Sequence, residues 1–186
     1  RMKAPKALSV DNLGRIMTFR QLPSPNQDAR PPGTQILLLV IHGISLPPGR
    51  FGGGNIEALF GNTLDYSKHP YFEPLRGLRV SAHFLIARSG PVVQFVPCAN
   101  RAWHAGKSTW RGRDQCNDFS IGVELEGVDD MPYESIQYEH LVRLVFALKA
   151  RYPIQEVVAH SDIAPGRQTD PGPAFDWARF NSMLNS

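Results

Sequence analysis

The chain has 186 residues, 42% of them hydrophobic and 20% charged, with a formal net charge of +3. That length and apolar share fit one globular domain and exclude bulk disorder, while 16 Gly and 16 Pro make it rich in loops. The sequence pI near 9.0 raises nucleic acid as a partner. Residues 1–35, however, hold a net +4 and the other 151 residues sum to −1, so the surplus belongs to a terminal segment and no nucleic-acid partner is expected.

Two cysteines, Cys98 and Cys116, make no disulfide framework and fit a reducing compartment. The longest aliphatic run has six residues, against roughly 20 for a bilayer span, so no membrane partner is expected. No apolar stretch of the signal-peptide kind stands near the start. Arg1 ahead of Met2 reads as a leftover before a natural start, and the expected location is cytoplasmic.

In chain order, residues 1–20 are polar and weakly patterned and are expected to form a mobile arm, followed by one domain over 21–186. Pro23, Pro25, Pro31, Pro32 and Gly33 make an extended lead-in, because proline fixes φ and removes a donor. Residues 36–41 (ILLLVI) read as a central strand buried on both faces, with His42 near its C-terminal end. Residues 45–54 (SLPPGRFGGG) form a loop, and 56–60 begin a short helix. Residues 80–87 and 92–96 flank Ser89, Gly90 and Pro91 as a hairpin. Residues 120–126 (SIGVELE) alternate, with Ile121, Val123 and Leu125 on one face and Gly122, Glu124 and Glu126 on the other. Apolar residues at helical spacing over 136–151 predict a helix with Ser135 as N-cap. A short strand over 156–159 ends in His160, a Pro/Gly loop runs to Pro173, and 175–184 form a terminal helix. Strands mixed with helices predict an α/β domain on a mixed sheet.

The six histidines fall into no HExxH, paired CxxC, GxSxG or P-loop pattern, so a metal site has to be assembled from distant segments. His42 and His160 each stand where an apolar strand runs into a Pro/Gly loop, and α/β sheets place functional groups at strand ends. Asp170 lies between Pro165-Gly166 and Pro171-Gly172, on a stiff loop that can fold back toward His160. Two imidazoles and a carboxylate are a ligand set for catalytic zinc. The same residues also read as two hydrogen-bonded strand-end histidines and an aspartate closing a turn. Glu124 or Glu126 suits a general base, or both belong to a solvated strand face. Residues 101–113 (RAWHAGKSTWRGR) interleave basic and aromatic groups, which suits single-stranded nucleic acid, an anionic sugar–peptide, or an exposed loop with one buried tryptophan. Neither cysteine sits in a recognisable nucleophile setting.

Five separated blocks occur together: residues 40–49 (VIHGISLPPG), 80–83 (VSAH), 101–106 (RAWHAG), 116–127 (CNDFSIGVELEG) and 159–177 (AHSDIAPGRQTDPGPAFDW). In that order they closely resemble the type 2 zinc N-acetylmuramoyl-L-alanine amidases, and among them the AmpD-like cytosolic amidases of cell-wall recycling. The resemblance covers about residues 20–182. It implies a single α/β domain with a central mixed β-sheet flanked by helices, as in phage-lysozyme amidases and peptidoglycan-recognition proteins. It implies one Zn2+ held by His42, His160 and Asp170, with Glu124 as general base. Glu126 is then read as structural, and His83 and His104 as pocket-wall or supporting groups. The implied substrate is a 1,6-anhydromuramyl peptide, cut between the lactyl carbonyl of muramic acid and L-alanine. Trp103, Arg79 and Arg113 are the candidate contacts to sugar and stem carboxylates, and a monomer is expected. A muropeptide-binding module without cleavage, or with weak cleavage, is the alternative.

Two positions depart from the family. Gln168 stands where a lysine is usual, giving a neutral donor in place of the cation that steadies an oxyanion, with Arg167 next to it as a substitute. Gly43 stands where AmpD-like amidases usually carry asparagine, removing an amide from the substrate side.

Overall fold

The computed structural model describes residues 7–186. Ten strands and four α-helices are formed among the described residues: β1 Arg20–Gln21, β2 Gln27–Ala29, β3 Leu38–Ile44, β4 Phe84–Ile86, β5 Val92–Gln94, β6 Asn100–Ala102, β7 Thr109–Trp110, β8 Arg113–Asp114, β9 Ser120–Glu126, β10 Glu156–Ala159, and α1 Asn55–Phe60, α2 Ser135–Arg151, α3 His160–Ile163, α4 Trp177–Leu184. A six-stranded sheet in the order β1-β5-β4-β9-β3-β10 carries the fold, with two short two-stranded ribbons, β2-β6 and β7-β8, beside it. β3 pairs in parallel with both β9 and β10, whereas β4 and β5 form the antiparallel hairpin expected around Gly90. The sheet is therefore mixed, as the alternation of strand and helix patterns predicts.

The two longest strands, β3 and β9, are central and parallel. Leu39, Ile41, Ile121, Val123 and Leu125 point to the face covered by α2 and α4, where Leu141, Leu144, Val145, Leu148, Phe175 and Phe180 complete the main core. Leu38 and Val40 point to the other face, against Ala105, Phe119 and Ile163. Glu124 and Glu126 share that second face and are buried, so the alternating strand has no solvated side.

Helix α2 starts at Ser135 with Glu134, not Ser135, as its N-cap, and the Glu134 N–H donates to Gln137 Oε1 at 3.0 Å. Ser135 Oγ instead accepts from Arg179 of α4. Helix α4 starts two residues later than the pattern predicts, where Asp176 accepts from the Arg179 N–H and so satisfies one of the first-turn donors.

Of the expected N-terminal arm, residues 1–6 lie outside the described residues, and residues 7–20 are attached to the domain. Ile16 is fully buried in the main core, and its N–H donates to Gln94 Oε1 at 2.9 Å. The Cys98 N–H donates to Gly14 O at 2.9 Å, and Gly14 has φ +82, which favours glycine. β1 then adds in parallel to β5. The basic surplus is partly structural as well. Arg15 pairs with Asp11, and Arg30 donates to the carbonyls of Cys98, Asn117, Asp118 and Ser120, which pins the segment leading into β9. Ile16→Ala is expected to destabilise the protein by about 2–5 kcal/mol in urea denaturation. A loss below about 1 kcal/mol would return this segment to the status of an arm.

Candidate active site

The register between β3 and β9 sets His42 beside Glu124, and that between β3 and β10 sets Ile41 beside Ala159, one residue before His160. Paired residues of neighbouring strands share a face, so His42 and Glu124 project together from the side opposite α2. His160 does not enter a loop directly: it is the first residue of α3, which turns its ring back over the strand ends. The loop after α3 then returns, and the Ser161 N–H donates to the Asp170 carbonyl at 3.1 Å.

These turns gather three donor atoms. His42 Nδ1 lies 3.0 Å from His160 Nδ1 and 3.3 Å from Asp170 Oδ2, and His160 Nδ1 lies 3.0 Å from Asp170 Oδ1. The three ligand atoms fall within 4.8 Å of one another. Two imidazole nitrogens and a carboxylate converging from three elements fit a divalent cation with a position left for a small molecule. The Gly43 N–H also donates to Asp170 Oδ2 at 3.2 Å, so backbone as well as side chains orients the carboxylate. Burial holds the His42 ring neutral by lowering its pKa to about 4. For Asp170 burial acts upward, but hydrogen bonds to His160 and His42 outweigh it and hold the carboxyl well below the usual range.

Glu124 Oε1 lies 3.7 Å from His42 Nδ1, and Glu124 Oε2 is buried without a hydrogen-bond partner. Burial first, and the neighbouring Asp170 second, push the Glu124 carboxyl well above its ordinary pKa. A carboxylate so placed takes up a proton readily. Glu126 does other work: its two oxygens accept from the N–H groups of Gly52 and Arg88, at 2.8 and 2.9 Å, which ties the 45–54 loop to the end of β4.

A cleft of about 380 Å³ opens over these groups, with Ser45, Leu46, Tyr71, Leu78, Trp103 and Gln168 among its walls. A neighbouring cavity of about 340 Å³ shares Leu78, Trp103, His160 and Gln168 and adds Arg79. Of the sequence candidates, His42, His160, Asp170, Glu124, Gln168 and Trp103 are thus brought together, and Arg79 stands at the adjoining wall. Arg113 is not brought in: it is exposed on β8, stacks over Phe119 at 4.1 Å and lines neither cavity. Arg167 donates to the carbonyls of Ala105 and Lys107 at 2.7 and 2.9 Å, so its guanidinium is committed to the 105–107 loop. Cys98 and Cys116 are buried free thiols, and burial pushes the Cys98 thiol up to about 12, which removes it as a nucleophile.

Sequence reasoning passed over Tyr71, Leu78 and Tyr133. The first two lie in a stretch without strand or helix periodicity, so no pattern marked them. The Tyr133 hydroxyl donates to the Pro171 carbonyl at 2.8 Å, steadying the turn after Asp170. It also occupies the space into which a Cβ on residue 43 would project, so the asparagine usual in the family would require Tyr133 to shift.

The sequence profile described as N-acetylmuramoyl-L-alanine amidase matches residues 32–173. The 1,6-anhydro-N-acetylmuramyl-L-alanine amidase AmpD of Enterobacter cloacae is 54% identical over 175 residues, covering 93% of this chain and 94% of that protein. A crystal structure of a selenomethionine AmpD derivative matches with a TM-score of 0.91 at 52% identity, over 94% of this chain and 98% of that one. AmpDH3 from Pseudomonas aeruginosa, in complex with anhydromuramic pentapeptide, matches with a TM-score of 0.62 at 30% identity, over 84% of this chain and 63% of that one. With the profile spanning most of the domain and AmpD so similar over nearly its whole length, the chain belongs to the N-acetylmuramoyl-L-alanine amidase family, among its AmpD-like amidases.

Proposed function

We propose that the protein is a zinc-dependent amidase that hydrolyses the bond between the lactyl group of (1,6-anhydro)-N-acetylmuramic acid and L-alanine in muropeptides, acting as a monomer in cytoplasmic cell-wall recycling, with the amidase domain over residues 21–186 and residues 7–20 packed onto it. The observation that carries this reading is the unpartnered, buried Glu124 carboxylate beside the His42, His160 and Asp170 cluster at the floor of an open cleft. The names of the relatives and the anhydromuramic pentapeptide bound by AmpDH3 support the substrate class. None of the described helices is long and apolar enough to cross a membrane.

His42, His160 and Asp170 would hold the zinc, which when bound supplies Lewis-acid polarisation of the scissile carbonyl and acidification of a water. Glu124 takes the proton of the attacking water and passes it to the departing amine of L-alanine, a transfer its raised proton affinity suits. Gln168 offers a neutral hydrogen-bond donor to the charge that develops on the carbonyl oxygen. Trp103, Tyr71 and Leu78 give the sugar and stem an apolar wall, and Arg79 faces the stem carboxylates. Binding without cleavage is the second reading, favoured by Gln168 alone.

The test is release of free stem peptide from an anhydromuropeptide, measured by chromatography, with the hydrated muropeptide in parallel. Release that stops with a chelator and returns with zinc is expected. Retained binding with no release from the zinc-loaded protein would establish the binding module instead.

A further inference from the structure

Beyond the ligands themselves, a chain of buried imidazoles leads away from the cluster. His42 Nε2 lies 2.8 Å from His104 Nδ1, and His104 Nε2 lies 3.0 Å from Ser120 Oγ. The His42 and His104 rings meet edge to face, with centroids 4.9 Å apart and planes at 87°. A neutral imidazole carries one proton, so one ring nitrogen donates and the other accepts. His42 presents Nδ1 to the other ligands, which leaves Nε2 for its proton.

We propose that His104 is a positioning residue for His42: by accepting the Nε2–H of His42 on its own Nδ1, it keeps the His42 Nδ1 lone pair facing the metal. The proposal rests on the metal reading above and deepens it. His104 then carries its proton on Nε2 and donates it to Ser120 Oγ. The other ligand is set differently. His160 Nε2 faces the Ala105 carbonyl at 3.2 Å, and a carbonyl only accepts, so that ring has one arrangement available. His104 and the Ser120 hydroxyl can each donate or accept, so the direction of this chain is set at its other end, by the lone pair that His42 Nδ1 must keep free for the metal.

The surroundings of His104 hold it for this task. Asn117 Oδ1 accepts from the N–H groups of both His104 and Ala105, at 3.1 and 2.9 Å. The ring lies against the backbone of Gly122 so closely that no Cβ fits there. His83, behind it, accepts the Gly122 N–H on Nδ1 at 3.0 Å and faces the Asn100 carbonyl through Nε2 at 2.9 Å, so a second ring with a fixed proton braces the same glycine. Outer partners of ligating histidines commonly govern ring orientation and metal affinity.

The experiment has two arms, zinc affinity by competition with a chromogenic chelator and long-range proton–nitrogen NMR of the zinc-loaded wild-type protein. His104→Leu is expected to bind zinc about 10–100-fold more weakly, while His104→Asn, which keeps an acceptor oxygen near the Nδ1 position, stays within a few-fold of wild type. The NMR spectrum is expected to show both His42 and His104 protonated on Nε2. A His104→Leu protein that binds zinc as tightly as wild type, or a His104 proton on Nδ1, would overturn the proposal. Should His104→Leu fail to fold, the wild-type spectrum decides alone. A wild-type protein that binds no zinc would remove the metal reading itself, and this proposal with it.

Discussion

Glu124→Gln is expected to lower kcat by about 10²–10⁴-fold, the usual worth of a positioned general base, while leaving the metal content of the purified protein unchanged. Glutamine has nearly the same shape, and Glu124 Oε2 already lacks a hydrogen-bond partner. The substitution therefore breaks no existing bond at that atom, and folding should be little affected. His42, His160 and Asp170 remain to bind the cation. What is lost is the ability to accept a proton. Peptide release followed alongside elemental zinc analysis separates the two effects. A fall of less than tenfold would move the base elsewhere, and a loss of zinc would make Glu124 a ligand.

Gln168→Lys is expected to raise kcat by about tenfold, less than the ~10²–10³-fold lost when a donor aimed at a developing oxyanion is removed outright, because Gln168 already offers a neutral one. Gln168 lines both the main cleft and its neighbour, close to His160 and Asp170. Its amide brings a donor but no charge. Arg167 does not supply that charge, because its guanidinium is held by the carbonyls of Ala105 and Lys107. A lysine at 168 would restore a cation in a partly enclosed, low-dielectric cleft where it counts for more than in water. Because the gain belongs to the transition state, it should appear in kcat with KM little changed. An unchanged or lower kcat would show that the present enzyme works without a cation there.

The candidate site was legible chiefly through the resemblance carried by the five blocks. The residues alone marked His42, His160 and Asp170, which stand at strand ends and in Pro/Gly loops, and left Glu124 and Glu126 on one strand face with no choice between them. The central strands and α2 were likewise legible from their periodicities. Ile16 was not. It is a lone apolar residue between Arg15 and Met17, and its place in the core depends on Gln94, 78 positions away. The alternation of β9 was misleading about exposure for a related reason. Its Gly122 and Glu124 face is covered by His104 and the segments around it, and Glu126 by Gly52 and Arg88, all from other parts of the chain. Arg113 looked like a substrate contact from its basic, aromatic neighbourhood, but β8 turns it onto Phe119. Local pattern marks what a strand offers; it does not mark what arrives to cover it.

The pairing of His42 with Glu124 across β3 and β9 has an implication for how such a protein can change. The lateral distance between ligand and base follows from the spacing of hydrogen-bonded strands, about 4.8 Å, which no insertion or exchange in a surface loop alters. Loop 45–54, which lends Ser45 and Leu46 to the cleft wall, is therefore free to be recast for a different sugar or stem while the spacing of His42 and Glu124 stays constant. The 101–113 segment is not, because His104 and Ala105 hold the ligand rings. Selectivity and chemistry are separable inheritances in this architecture, and a library randomised only in loop 45–54 should shift substrate preference without resetting the pH dependence of turnover.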